Sequence, residues 1–234
     1  MLPRESYATK PAAPSTPPPW IYIAAALGYF AAFDLGLWST ASGDIVTPVW
    51  LAAGLSIWLV LRFGRGLLLV VALVGLAANM QETQPFTRPS ALAMWLTMAA
   101  GDTLTAALGV RLWRHVTDRW QAALGEFCEP LAVMATALLT PVVAATIGTA
   151  AIVLTGNAPG ATAPSLWIAW WSGDALGTLF GLPLLLAAPA IYTTVRQAGA
   201  RQGARIINPL SPASGPATSS FNGLHLKSNF LAFH

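Results

Sequence analysis

From Trp20 to Tyr192 the chain is one apolar run after another, separated by short polar breaks. Inside a bilayer no water is available to a free N–H or C=O. A run of about 20 apolar residues therefore crosses lipid as a helix that satisfies its own backbone. Composition points the same way: 55% of the 234 residues are hydrophobic and 9% charged, against about 25% charged in a soluble domain. The predicted fold class is all-α, a polytopic membrane helix bundle of about six transmembrane helices with an interfacial helix between the fourth and fifth. The single cysteine, Cys128, excludes an intramolecular disulfide framework and a cysteine zinc cluster. His115, His225 and His234 lie far apart without ligand spacing, so neither a metal nor a cofactor is expected. The net charge of +3 is scattered between spans instead of forming a stripe, which argues against nucleic acid as a partner.

Residues 1–19 form a polar leader with Pro11, Pro14, Pro17, Pro18 and Pro19, too poor in apolar groups to pack and expected to be disordered. Residues 20–195 are the transmembrane domain, and 196–234 a juxtamembrane segment and tail. The first run, Trp20 to Trp38, reads as an uncleaved helix rather than a signal peptide, because it has span length and further spans follow. Pro48 opens a second helix ending at Arg62, since proline's missing N–H costs nothing in a first turn. The third runs from Leu67 to about Met80. Both are shorter than a span, so they extend through the turn between them, thin the bilayer, or form a partly re-entrant hairpin.

The fourth helix, Ser90 to Trp113, carries Asp102. From Arg111 to Glu129, charges alternate with Val116, Trp120, Ala123, Leu124 and Phe127 at helical spacing, the pattern of a helix lying along the membrane surface. The fifth runs from Pro130 to Leu154, with Pro141 as a kink point. The sixth runs from Pro164 to about Tyr192, with Pro183 and Pro189 as further kinks. From Ile206 onward no periodicity survives, and the tail reads either as a disordered extension or as a frameshift product. Six spans put Arg4, Lys10, Arg62, Arg65, Arg111, Arg114, Arg119, Arg196, Arg201 and Arg205 on one side and only Arg88 on the other. By the positive-inside rule both termini are cytoplasmic.

Trp167, Trp170, Trp171, Asp174 and Gly181 return to one face of the sixth helix. A carboxylate at lipid depth needs a partner, a water pocket or a proton, so this face is a candidate site. The competing reading makes the tryptophans an interfacial belt and lets Asp174 pair or cap inside the bundle. Asp34 lies near a helix end and can reach water. Asp102 and Asp174 are expected to face a common interior. Ala24 with Gly28, Gly75 with Asn79, and Gly173, Gly177 and Gly181 are small residues at four-residue spacing, which points to close helix packing. No phosphate loop, Ser/His/Asp set or Cys/His pair is present, so an enzyme is not expected.

Pro48-Val-Trp50-Leu-Ala-Ala-Gly54, the turn at Arg62 to Arg65, Asn79, Thr103-Leu-Thr-Ala-Ala-Leu-Gly109, and Trp170-Trp171-Ser-Gly173-Asp174-Ala-Leu-Gly177 leading to Pro183 follow in an order that resembles the membrane-associated sensor domain of type one (MASE-one). The likeness covers roughly Trp20 to Tyr192, and the Trp-Trp-x-Gly-Asp-x-x-Gly run is its most specific part. It implies a multi-pass input module of the bacterial inner membrane that precedes a histidine kinase or a cyclic di-GMP enzyme. Two departures stand out. The family has up to eight spans, and its members commonly carry Asn and Glu where this chain has Asp102 and Thr105.

No output domain follows, so a cytoplasmic output domain or kinase acting in trans, and a homodimer, are the implied partners besides the lipid bilayer. The expected ligand-facing residues are Trp167, Trp170, Trp171, Asp174, Asp102 and Trp50, with Pro183 and Pro189 transmitting a change of bend. Two alternatives stay open. One is a six-helix substrate-binding subunit of a vitamin-uptake system, docking its partner through Ala24 and Gly28. The other is a truncated remnant without function.

Overall fold

The structure, a computed structural model, describes residues 17–38, 49–82 and 89–207, and beyond Ala188 its backbone only. Residues 1–16 of the proline-rich leader, Pro48, Arg88 and the tail after Ile207 lie outside the described residues, and the leader's last residue, Pro19, is already the first of α1. Among the described residues every regular element is helical: α1 Pro19–Trp38, α2 Leu51–Phe63, α3 Leu67–Glu82, α4 Pro89–Leu124, α5 Cys128–Leu139, α6 Pro141–Leu154 and α7 Ala163–Ile207. Residues 17–191 make one compact unit; from Tyr192 the chain belongs to a second unit, of which the helical residues to Ile207 are described.

Apolar composition dictates the outer surface. Ile23, Leu27, Leu69, Leu73, Leu96, Leu138, Phe180 and Leu184 all stand exposed. In water this would be a large sticky patch; in lipid it is the required surface. Trp20 and Trp38, at the two ends of α1, are 65% and 85% exposed. They lie ~27 Å apart along the helix axis, close to the thickness of the hydrocarbon core, so each ring can sit at a membrane interface. Several hydroxyls inside the spans bond back to their own helix. Thr97, Thr103 and Thr146 donate to the carbonyls of Ala93, Ala99 and Val142 at 2.6–2.7 Å, which removes the cost of a bare polar group in lipid.

Among the described residues three stretches are long and apolar enough to cross a membrane: 19–38, 90–154 and 160–188. The second is folded back on itself. Gly125, with φ +55, ends α4, a three-residue 3₁₀ turn follows, and the Cys128 thiol returns to the Val116 carbonyl at 3.6 Å. With 13 and 16 residues, α2 and α3 are too short for a full crossing. They meet at Gly64, whose φ of +95 lies in the region that favours glycine. The core is shared by α1, α2, α3 and α7 around Tyr29, Ile57, Val60, Leu67, Val71 and Leu182. A second cluster joins Trp95 of α4, Ile152 of α6 and Leu166 of α7, with Trp170 packed against it. Helix α4 touches α2, α3, α5 and α6 and is the central strut.

Three elements differ from the sequence expectation. The segment expected as a separate surface helix is the last part of α4, a single 36-residue helix. No glycine or proline stands between Arg111 and Leu124 to stop it, and Gly125 is the first residue that does. The expected fifth helix begins at Cys128 and is two helices, because Pro141 has no N–H for the preceding turn and Thr140 adopts a turn there. Helix α7, in contrast, runs unbroken through Pro183 and Pro189 for 45 residues.

Candidate functional site

Three helices carry a polar side chain to the same depth. Along its own helix, Tyr29 lies ~15 Å from Pro19, Asp102 ~18 Å from Ser90 and Asp174 ~17 Å from Ala163. Each is near the middle of a hydrocarbon core about 30 Å thick. Tyr29 and Asp174 are 1% and 3% exposed, and Asp102 is partly covered. The two carboxylates lie close enough to act electrostatically on each other and on the Tyr29 phenol. Among the described residues no hydrogen bond or ion pair closes on either carboxylate. Asp102 also faces α3: a Cβ on Gly75 would stand 3.9 Å from its Oδ2. One turn on, the buried Asn79 amide donates to the Gly75 carbonyl at 2.8 Å.

Trp50 leads into α2 and packs against α7 and α1. It is not helical, with φ −99 and ψ 82, and its N–H donates to the Gly173 carbonyl of α7 at 2.9 Å. A helical carbonyl keeps a second lone pair, which makes this bond possible without unwinding α7. Gly173 lies ~15 Å into α7, so α2 begins inside the membrane, and irregular backbone at that depth persists only where protein covers it. The Trp50 ring meets Phe33 edge-on at 4.6 Å and lies over Gly36, where a Cβ would come within 2.6 Å of it.

The three tryptophans of α7 have separate tasks. Trp167 and Trp171 stack with their rings 6.3 Å apart and 6° from parallel. The Trp167 indole N–H donates to Thr146 Oγ1 on α6 at 3.0 Å, and that of Trp171 to the Leu138 carbonyl on α5 at 2.9 Å. Trp170 fills the space left by Gly148 on α6. So all three bind α7 to the α5–α6 pair, while Asp174 turns to Tyr29 and Asp102. Replacing Trp171 by Phe removes one hydrogen bond and keeps the ring. Thermal unfolding in detergent should then show a loss of about 0.6–1 kcal/mol.

Of the expected ligand-facing residues, Asp174 and Asp102 lie near Tyr29, Trp50 packs between α7 and the Phe33 and Gly36 face of α1, and Trp167, Trp170 and Trp171 lie on the α5–α6 side of α7. Pro183 is partly buried within the unbroken helix, and the Pro189 side chain lies outside the described residues. Asp34 is exposed on the outer face of α1. Sequence reasoning missed Tyr29 and Phe33, buried at 1% and 3%. The available signal was Tyr29, Phe33 and Gly36 returning to one face of the first run at steps of four and three.

No curated protein matches the chain, and no solved structure does. A family model does: MASE1, over residues 21–204. That range takes in every helix that builds the site, and the chain belongs to the MASE1 family, a membrane-associated sensory domain of signalling proteins.

Proposed function

We propose that the chain is a multi-pass input module that detects a small solute or a membrane partner at Asp102, Asp174 and Trp50, with Tyr29 beside them. The observation that carries this is the meeting of Tyr29, Asp102 and Asp174 at mid-membrane depth. A charged group at the bilayer centre costs at least about 2.5 kcal/mol. Such a cluster therefore favours an occupant that brings a proton, a cation or hydrogen-bond donors. Binding between α1, α4 and α7 would favour one packing of α7 over another. A ligand shifts a population only through different affinities for the two states, and α7 is the helix that leads toward residues 195–205, where an output domain would begin.

The arginine-rich ends of the spans support a cytoplasmic side for these residues, in a bacterial inner membrane, by the positive-inside rule. The module itself performs no chemistry; it works with an output domain or a kinase in trans, as a monomer or a homodimer. The test is a chimera joining the chain after Arg205 to a reporter kinase. Asp174→Asn keeps the side-chain shape and removes the charge, and it should cut the change in reporter output between growth conditions at least about tenfold, the size of a 1.4 kcal/mol coupling. An unchanged response in a chimera that is present at normal levels would rule out the site.

A further inference from the structure

We propose that the groove between α4 and the α5–α6 break is a binding site for an anionic phospholipid. The groove holds about 480 Å³ and is lined by Leu108, Arg111, Leu112 and His115 of α4 with Leu139, Thr140 and Val143. Its two ends differ in chemistry. Arg111 stands ~32 Å along α4 from Ser90, the distance that carries a helix from one face of the hydrocarbon core to the other. Arg111 and His115 are both exposed, and among the described residues neither holds an ion pair. They mark the level of the lipid headgroups. Leu108 lies ~10 Å back along the helix from His115. There, with Leu139 and Val143, it makes a purely aliphatic floor suited to an acyl chain.

The groove lies at the break in the α5–α6 span, lined there by Leu139, Thr140 and Val143. Pro141 begins a new helix after Thr140, and backbone bonds cross the join: Thr140 N–H to the Thr136 carbonyl at 3.2 Å and Val143 N–H to the Thr140 carbonyl at 3.1 Å. Charge decides the occupant. Arg114 is exposed at the same level as Arg111, while the acidic residues of this end, Asp118, Glu126 and Glu129, lie further along α4 or in the turn into α5, and none of them lines the groove. The mouth is therefore cationic and the floor apolar. A zwitterionic lipid offers the mouth a phosphate whose charge its own ammonium cancels, and free phosphate leaves the floor empty. A lipid with a net negative headgroup fits both.

Native mass spectrometry of the full detergent-purified chain tests this with dioleoyl phosphatidylglycerol against dioleoyl phosphatidylcholine. The unmodified chain should retain the anionic lipid at least about fivefold better, the preference expected from one basic residue at the surface. Arg111→Gln with His115→Gln should bring the two lipids level. Arg65→Gln, the same loss of charge in the turn between α2 and α3, should leave the preference intact. Leu108→Trp fills the floor without touching a charge and should lower retention of both lipids. A double variant that keeps the preference, a Leu108→Trp variant that retains lipid as well as the parent, or displacement of the lipid by inorganic phosphate would overturn the proposal. Should the double variant fail to fold, Leu108→Trp and the phosphate competition still decide it.

Discussion

Gly177→Ala is expected to cost about 3 kcal/mol or more, the upper end of what overpacking a closed core does. A Cβ on Gly177 would overlap the Trp50 carbonyl oxygen and carbon, and lie 3.0 Å from the Leu51 nitrogen. These are backbone atoms, so no side chain can swing aside. The only relief is to push α2 away from α7. That movement would also break the bond from the Trp50 N–H to the Gly173 carbonyl and separate Gly54 from α7, where a Cβ would already be 2.7 Å from the Gly177 carbonyl. Size-exclusion chromatography and thermal unfolding in detergent read the outcome: a small monodisperse fraction and a lowered Tm. Gly28→Ala is the matched control, because a Cβ at Gly28 meets nothing within 4 Å. There the change should stay within about 1 kcal/mol, the size of the helix-propensity term. If Gly177→Ala unfolds no more easily than Gly28→Ala, the close approach of α2 and α7 is wrong.

Trp170→Ala should destabilise by about 3–5 kcal/mol, as truncation of a large packed aromatic does. The ring occupies the space that Gly148 leaves on α6 and leans on the cluster of Met94, Trp95, Ile152 and Leu166. Without it that cluster loses a wall. The loss should exceed that of Trp171→Phe several-fold, although the two tryptophans are neighbours in the chain. Adding Gly148→Leu to Trp170→Ala should restore part of the lost stability, since a side chain from α6 would then fill the space from the other side. Unfolding midpoints of the three variants in one detergent check the order.

These two expectations divide the Trp170-Trp171-Ser-Gly173-Asp174-Ala-Leu-Gly177 motif by physical task. Trp170 packs and Trp171 bonds across to α5. Gly173 accepts from Trp50, Gly177 makes room for it, and Asp174 alone turns toward the polar interior. A pattern of this kind is legible as a unit in the sequence, because helical spacing puts the large, small and charged members on adjacent faces. Which neighbour each face meets is not legible, for the partners come from α1, α2, α4, α5 and α6.

The sequence alone determined the all-helical membrane class and the family. Both rest on local properties, the length of apolar runs and the order of short motifs, and backbone hydrogen bonding in lipid leaves such runs no other form. It also marked Gly173, Gly177 and Gly181 as a packing stripe, since small residues at four-residue spacing serve little else in a membrane helix. Where helices end was only partly readable. Gly64 and Gly125 stop α2 and α4 with φ values of +95 and +55, but the charged residues after Arg111 suggested a surface helix where α4 simply continues. The tertiary structure decided that Tyr29 joins Asp102 and Asp174, that Trp50 meets α7 as non-helical backbone ahead of α2, and that Pro141 breaks its span while α7 passes unbroken through Pro183 and Pro189. Each of these depends on what packs opposite, and a helix face carries no record of its partner until the bundle closes.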